Sequence, residues 1–332
     1  MARDIAEIIK HITEEFPKWT QKNIAVQLAL DDLKLWNDGD DSDRYSIGDL
    51  ISRIAYYESK KFVLDNIKNG RDIDLFQLAR ATALAPRQFL YAIGVQGDDT
   101  NSGVSFSDYA NTLAQLITIG WRDYAELYAR LGFQELMKYS IVRGNYKGGA
   151  LDQGQTLFGY PYALMDVMKD WLGADKVSTA TAWRADLYEE LGGYKGWSEL
   201  VENWREPNPS KFAVILNRAA DYHVAESRHM ETTRGRDGRK SERHFEVEQD
   251  RFWIFPVILF TFLRIREWDG LPNPKILEHD LFAKGIFHHL ASAPAAPSDD
   301  FFDTADARFR ALYPETPSMA DLGRLREIQG NR

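Results

Sequence analysis

The chain has 332 residues, 44% of them hydrophobic and 13% aromatic, which is enough to bury a large core and excludes a disordered protein. A formal net charge of −9 argues against a nucleic-acid-binding surface, and the absence of cysteine removes disulfides, thiol nucleophiles and cysteine-rich zinc sites. The longest uncharged apolar run, Phe252 to Leu263, falls well short of the roughly 20 residues of a membrane span, and "MARDIAEIIKHITEEF" lacks the apolar stretch of a signal peptide, so a soluble cytoplasmic protein is expected.

Helical periodicity dominates the N-terminal part. Ile5, Ile8, Ile9, Ile12 and Phe16 follow the i, i+3, i+4, i+7 rule, and Pro17 is expected to end that helix. A second helix is expected from about Thr20 to Trp36, stopped by the acidic loop "NDGDDSD". Ser46 and Asp49 form a capping pattern before a third helix reaching Ile67, with Gly70 as its stop. Leu75 to Ile93 reads as helical on both sides of Pro86. Ser105 and Asp108 repeat the capping pattern ahead of the longest amphipathic stripe, Phe106 to Leu131, which Gly132 interrupts.

The glycine-rich segment "GNYKGGALDQGQ" from Gly144 is the expected boundary between lobes. Beyond it, 157–172, 180–191, 197–204 and 211–230 read as helices, while Phe245 and Val247 alternate with glutamates as a short strand would. Phe252 to Trp268 is apolar around most of its circumference, as the central helix of a lobe should be, and "DGLPNP" ends it. The expected architecture is all-α: an N-terminal helical lobe (1–143), a C-terminal helical lobe (144–291), then a linker and a short tail helix near 318–328 (292–332).

The stretch "DYHVAESRHM", Asp221 to Met230, is the most chemistry-like in the chain. On one helix His223, Glu226 and His229 spread over an arc of about 120°, and the two histidines stand about 9 Å apart along the axis. Zinc helices place their histidines at i and i+4 so that both rings meet one ion, and this spacing does not. No metal and no cofactor is therefore expected. "TTRGRDGRKSERH" holds Arg234, Arg236, Arg239, Lys240 and Arg243 without one apolar residue, which reads as an exposed loop. Asp38, Asp40, Asp41 and Asp43 do not fit a calcium loop, because Lys34 falls where the first ligand belongs. Clustered carboxylates of this kind, with Asp98 and Asp99 in a second turn, suit the capture of a basic partner.

Known catalytic patterns are incomplete. "DDLKL" at Asp31 and the Asn217, Asp221, Ala225 series fall short of the two magnesium motifs of terpene cyclases. "GDDT" at Gly97 resembles the first magnesium motif of ADP-ribosylglycohydrolases, and "FDTADA" at Phe302 echoes the second, with Ala305 breaking it. A magnesium-dependent ADP-ribosylglycohydrolase-like enzyme and a helical adaptor without catalysis stand as the alternatives.

"RIAYYESKKFVLDNIKNGRDIDLF", "ILNRAADYHVAES" and "FPVILFTFLRIREWDGLPNP" resemble helices of the PoNi-like immunity proteins, which neutralise polymorphic or type VI secretion toxins in bacteria. The resemblance spans most of the chain. It implies a non-catalytic helical toxin inhibitor that occludes its toxin by shape and opposite charge. With the aspartate loops read as above, the partner-binding residues expected are Asp38, Asp40, Asp41, Asp43, Asp98 and Asp99.

Overall fold

Ile5, Ile8, Ile12 and Phe16 lie along one side of the first helix, α1 (Ile5–Gln21), and all four are buried in the computed structural model. Pro17 sits inside this helix instead of ending it. Its ring removes one bond to the Thr13 carbonyl, and Thr13 is exposed, so the loss falls on the solvent side. The structure describes residues 4–21, 23–42, 44, 46–68, 74–95, 104–141, 151–152, 158–173, 194–234, 240–284, 292–295 and 297–317.

Asn23 caps α2 (Ile24–Asp38) by accepting from the Val26 N–H at 3.1 Å, and Gly39 closes it in the left-handed region at φ 117°. α3 (Ile47–Lys68) follows, then α4 (Leu75–Leu84), capped by Asp74, and α5 (Arg87–Gly94), entered through Pro86. The expected stop at Gly70 lies outside the described residues. Ser105 caps α6 (Phe106–Thr118), accepting from the Asp108 N–H at 3.1 Å. The stripe predicted as one long helix breaks at Gly120, whose φ of 87° suits glycine, and α7 (Arg122–Ile141) folds back. Gly132 is no interruption. A Cβ there would stand 1.9 Å from the Tyr109 hydroxyl, which donates to the Tyr128 carbonyl, so the missing side chain lets α6 and α7 pack.

After a two-residue parallel pairing of 104–105 with 151–152 come α8 (Tyr160–Leu172), α9 (Ser198–Glu202) and α10 (Pro209–Glu226). Glu231–Arg234 and Lys240–Arg243 form an antiparallel hairpin where a loop was expected; Thr232 and Thr233, β-branched, sit in the first strand. Glu246 and Val247 form a turn, not a strand. A 3-10 turn (Asp250–Phe252) leads through Pro256 into α11 (Val257–Trp268), so the apolar run is a bent segment followed by a shorter helix. α12 (Asp280–Lys284) and α13 (Asp300–Leu312) are the last helices among the described residues; α13 begins at Asp300, the last residue of the "ASAPAAPSDD" segment read as linker. The helix expected at 180–191 and the tail helix at 318–328 lie outside the described residues.

The fold is all-α apart from these short strand pairs. Its larger core joins α1, α4, α6, α7, α8, α10 and α11 and takes Phe62, Val63 and Leu64 from α3. At its centre α6 packs on α11, from opposite sides of position 144: Thr261 donates to the Ala114 carbonyl (3.2 Å) and Thr118 to the Val257 carbonyl (3.0 Å). A smaller core joins α2, α5 and α13 with Ile47, Leu50, Ile51 and Ile54 of α3. Arg87 clamps α13 by pairing with Asp306 at 2.8 Å, and the Tyr91 and Phe309 rings stack at 3.9 Å. Among the described residues no helix is long and apolar enough to cross a membrane.

Candidate functional site

Two regions carry chemistry: a buried polar centre between α1, α3, α6 and the 244–253 segment, and the outer face of α2 with the loop after it. In the centre, Glu246 is almost wholly buried. Its carboxylate accepts from the Gly159 N–H (2.8 Å), the Tyr160 N–H (3.2 Å), the Trp197 indole (3.2 Å) and the Lys195 ammonium (2.6 Å). α8 has no side-chain cap of its own, so Glu246 from a distant turn satisfies its first donors and meets the positive end of its dipole.

Asp250 accepts from the Lys60 ammonium at 2.8 Å and the Tyr56 hydroxyl at 3.2 Å. Lys60 is buried with the Phe16, Trp19 and Tyr56 rings 4.6–4.9 Å from its nitrogen, so aromatic faces replace the water it has lost. Arg251, whose pKa burial lowers, lies over the Tyr56 and Phe252 rings and donates to Gln249, which donates to Asp108 at 2.6 Å. A cavity of about 200 Å³ lies beside these groups, lined by Asp108, Tyr160, His223, Glu246 and Gln249 among others. Glu246, Asp108 and Gln249 in its lining are thus already hydrogen-bonded within the protein.

His223 points inward from α10, its Nε2 at 3.1 and 3.2 Å from the carbonyls of Phe252 and Trp253. Burial lowers its pKa to about 4, so the ring is neutral at pH 7 and Nε2–H is the donor. Glu226 accepts from the Glu246 N–H at 3.2 Å. The helix ends there: Ser227 leaves helical geometry at ψ 76°, its N–H turns to the Val224 carbonyl at 3.3 Å and its hydroxyl donates to the His223 carbonyl at 2.7 Å. His229 therefore lies beyond the helix on which the spacing argument had placed it. Its ring packs on Trp253 (centroids 4.7 Å apart) beside His11 of α1, and ligand atoms of His11, His229 and Asp250 all lie within 4.8 Å of one another. Among the described residues this is the group of three with metal-ligating geometry, and its members are 239 positions apart at the extremes, beyond the reach of any spacing rule.

The outer site is built on α2. Val26, Ala29, Leu33 and Trp36 face α3 and α13, and Trp36 donates from its indole to the Ala305 carbonyl. The opposite face carries Ile24, Leu28 and Leu35, exposed by 72%, 54% and 54%. At 100° per residue these three fall within an arc of about 40° and run about 16 Å along the axis. Asp31 and Asp38, both exposed, lie on the same side. Asp40 and Asp41 follow in the loop, also exposed. The Ser42 N–H holds the Asp40 pKa below its ordinary value, so it is charged at neutral pH. Asp41 is paired with Arg308 of α13, which also covers the Trp36 ring, so that carboxylate serves the fold.

Of the six aspartates expected to bind a partner, the structure places Asp38, Asp40 and Asp41 together at the end of α2; Asp43, Asp98 and Asp99 lie outside the described residues. The aliphatic stripe beside them went unread, although Ile24, Leu28 and Leu35 fall out of phase with the buried set and signal a second apolar face. Arg234, Lys240 and Arg243 are exposed on the hairpin, with Arg243 over the Phe245 ring; Arg236 and Arg239 lie outside the described residues. The "GDDT" motif also lies outside them, while Asp303 and Asp306 of "FDTADA" both face Arg87. Comparison with protein families, with curated proteins and with solved structures finds no match to this chain.

Proposed function

We propose that this protein is a cytoplasmic immunity protein, a non-catalytic inhibitor that binds a basic bacterial toxin, such as a type VI secretion effector, through the outer face of α2. The observation that carries the reading is the exposed Ile24, Leu28 and Leu35 stripe edged by Asp31, Asp38 and Asp40. Three large aliphatic side chains in water on one helix face are a cost that a partner removes, and the flanking carboxylates select a positively charged one. The net charge of −9 acts in the same direction at longer range. Support for a non-catalytic role comes from the inner site, where the Glu246 carboxylate is held by the Gly159 N–H and the Lys195 ammonium. Residues Asp303 and Asp306 of the magnesium-like segment hold α13 to Arg87.

The test is protection of cells producing the toxin encoded beside this gene. Wild type is expected to restore growth, and an Ile24→Ser, Leu28→Ser, Leu35→Ser variant of unchanged melting temperature is expected to lose that protection. Full protection by the variant would remove α2 as the binding face. Protection lost on substituting Asp303 and Asp306 in a protein that still folds would favour the enzyme reading instead.

A further inference from the structure

We propose that His11, His229 and Asp250 form a binding site for a divalent transition-metal ion of the zinc, cobalt and nickel class, fastening α1 to the segment between α10 and α11. The proposal is independent of the α2 face.

The ligand set is two imidazole nitrogens and one carboxylate oxygen, all within 4.8 Å of one another. A point central to a triangle of that size lies about 2.8 Å from each corner, so movements of under about 1 Å reach the 2.0–2.2 Å bonds such ions make. His229 is exposed and His11 half-buried, so the adjustment falls on the two imidazoles, while the buried carboxylate is the fixed corner. Imidazole nitrogen selects against magnesium and calcium, which take oxygen ligands.

The surroundings position the three groups. Both rings pack on Trp253, with centroids 4.9 Å away for His11 and 4.7 Å for His229, and the Trp253 indole is itself fixed by donating to the Val247 carbonyl at 2.6 Å. Asp250 is oriented by Lys60 on Oδ2 and Tyr56 on Oδ1, the kind of outer-shell support ligating carboxylates have. Each carboxylate oxygen has more than one lone pair, so Oδ1 can take an ion while Tyr56 still donates to it. The Lys60 ammonium opposes a second cation nearby, which sets the affinity below that of a four-ligand structural site. Three protein ligands leave the remaining positions to water on the exposed His229 side.

The test uses the full-length protein, stripped with chelator and titrated with Zn²⁺ by calorimetry, then with Co²⁺ by visible absorption. One equivalent of Zn²⁺ is expected to bind at micromolar concentration, with Co²⁺ giving ligand-field bands. Excess Zn²⁺ should raise the melting temperature, because the ion joins residue 11 to residues 229 and 250 only in the folded state. His229→Ala, at an exposed position, and His11→Ala should each weaken binding at least tenfold and abolish the melting shift. A His244→Ala, His279→Ala control, removing the other histidine–carboxylate pairs, should retain the one equivalent. No stoichiometric binding, or binding unchanged in His229→Ala, would overturn the proposal, as would binding lost only in the control.

Discussion

α11 and α2 are both rich in apolar residues, yet the fold treats them in opposite ways. Every residue from Val257 to Arg266 of α11 is buried, its apolar surface shared among α6, α8 and α10. Even Arg266 is enclosed, donating to the carbonyls of Trp204 and Pro272 and lying over the Phe212 ring, and burial lowers its pKa to about 10. α2 buries one stripe and leaves a second in water. Hydrophobicity alone does not separate the two helices; what separates them is whether the chain supplies a partner for each face. Among the described residues the faces of α11 are all covered, whereas α2 keeps open the face on which the proposed partner would sit.

The interior side of this comparison breaks most severely at its charged groups. Asp250→Asn or Lys60→Met leaves the other member buried without its counter-ion, an expected cost of about 3–5 kcal/mol in denaturant unfolding. Replacing both together should cost much less than the sum, since no orphan charge remains. Leu259→Ala in α11 opens a cavity in a fully buried layer and should cost about 2–5 kcal/mol. A loss under about 1 kcal/mol would mean that α11 is peripheral to the stability of the fold despite its burial.

A smaller effect comes from protons. Burial holds His223 down to about 4 against an ordinary 6.5, so the unfolded chain takes up its proton first as pH falls. Stability from this group is complete above pH 6.5 and is lost toward pH 4, by about 2 kcal/mol between pH 7 and pH 5. Asp166 works in the opposite sense. Burial pushes it up to about 6 against 3.8, so the folded state binds its proton first and gains about 1 kcal/mol over the same interval. The gain at Asp166 offsets part of the loss at His223, and wild type keeps a net loss on acidification. In thermal melts at pH 7 and 5, His223→Gln should therefore lose less stability on acidification than wild type, and Asp166→Asn should lose more.

Local signals read the fold well where they were local. The Ser105 cap, the break at Pro86 and the buried isoleucines of α1 follow from chain neighbours, and the structure has each of them. The break was expected at Gly132 and falls at Gly120, because glycine marks both a left-handed turn and a close helix crossing, and only the packing of Tyr109 tells them apart. α10 ends at Glu226, where Ser227 leaves helical geometry, and the chain beyond it brings His229 to His11. That cluster, like the capping of α8 by Glu246, joins positions far apart in sequence, and periodicity holds no record of such pairs. The aspartates after α2 were legible as an exposed acidic patch. Their neighbour Arg308, which occupies Asp41, was not.

The outer face should give the smallest changes in stability and in encounter rate. Ile24→Ser, Leu28→Ser and Leu35→Ser remove exposed groups and should each change unfolding stability by no more than about 0.5 kcal/mol. Asp31→Asn, Asp38→Asn and Asp40→Asn together should slow association with a basic toxin several-fold at low salt. The effect should fade as the Debye length contracts to about 8 Å near physiological ionic strength. An association rate unchanged at low salt would reduce these carboxylates to solvated surface and make the basic hairpin the next face to examine.

The most direct measurement is the affinity of the purified protein for the toxin encoded beside its gene, comparing wild type with the triple Ile24→Ser, Leu28→Ser, Leu35→Ser variant, each with its melting temperature. If α2 is the binding face, affinity falls by about 100-fold or more while the melting temperature stays within a few degrees, because the central aliphatic side chains of an interface each carry on the order of 1–2 kcal/mol. An affinity within a factor of about three of wild type, in a variant that folds normally, would contradict the account.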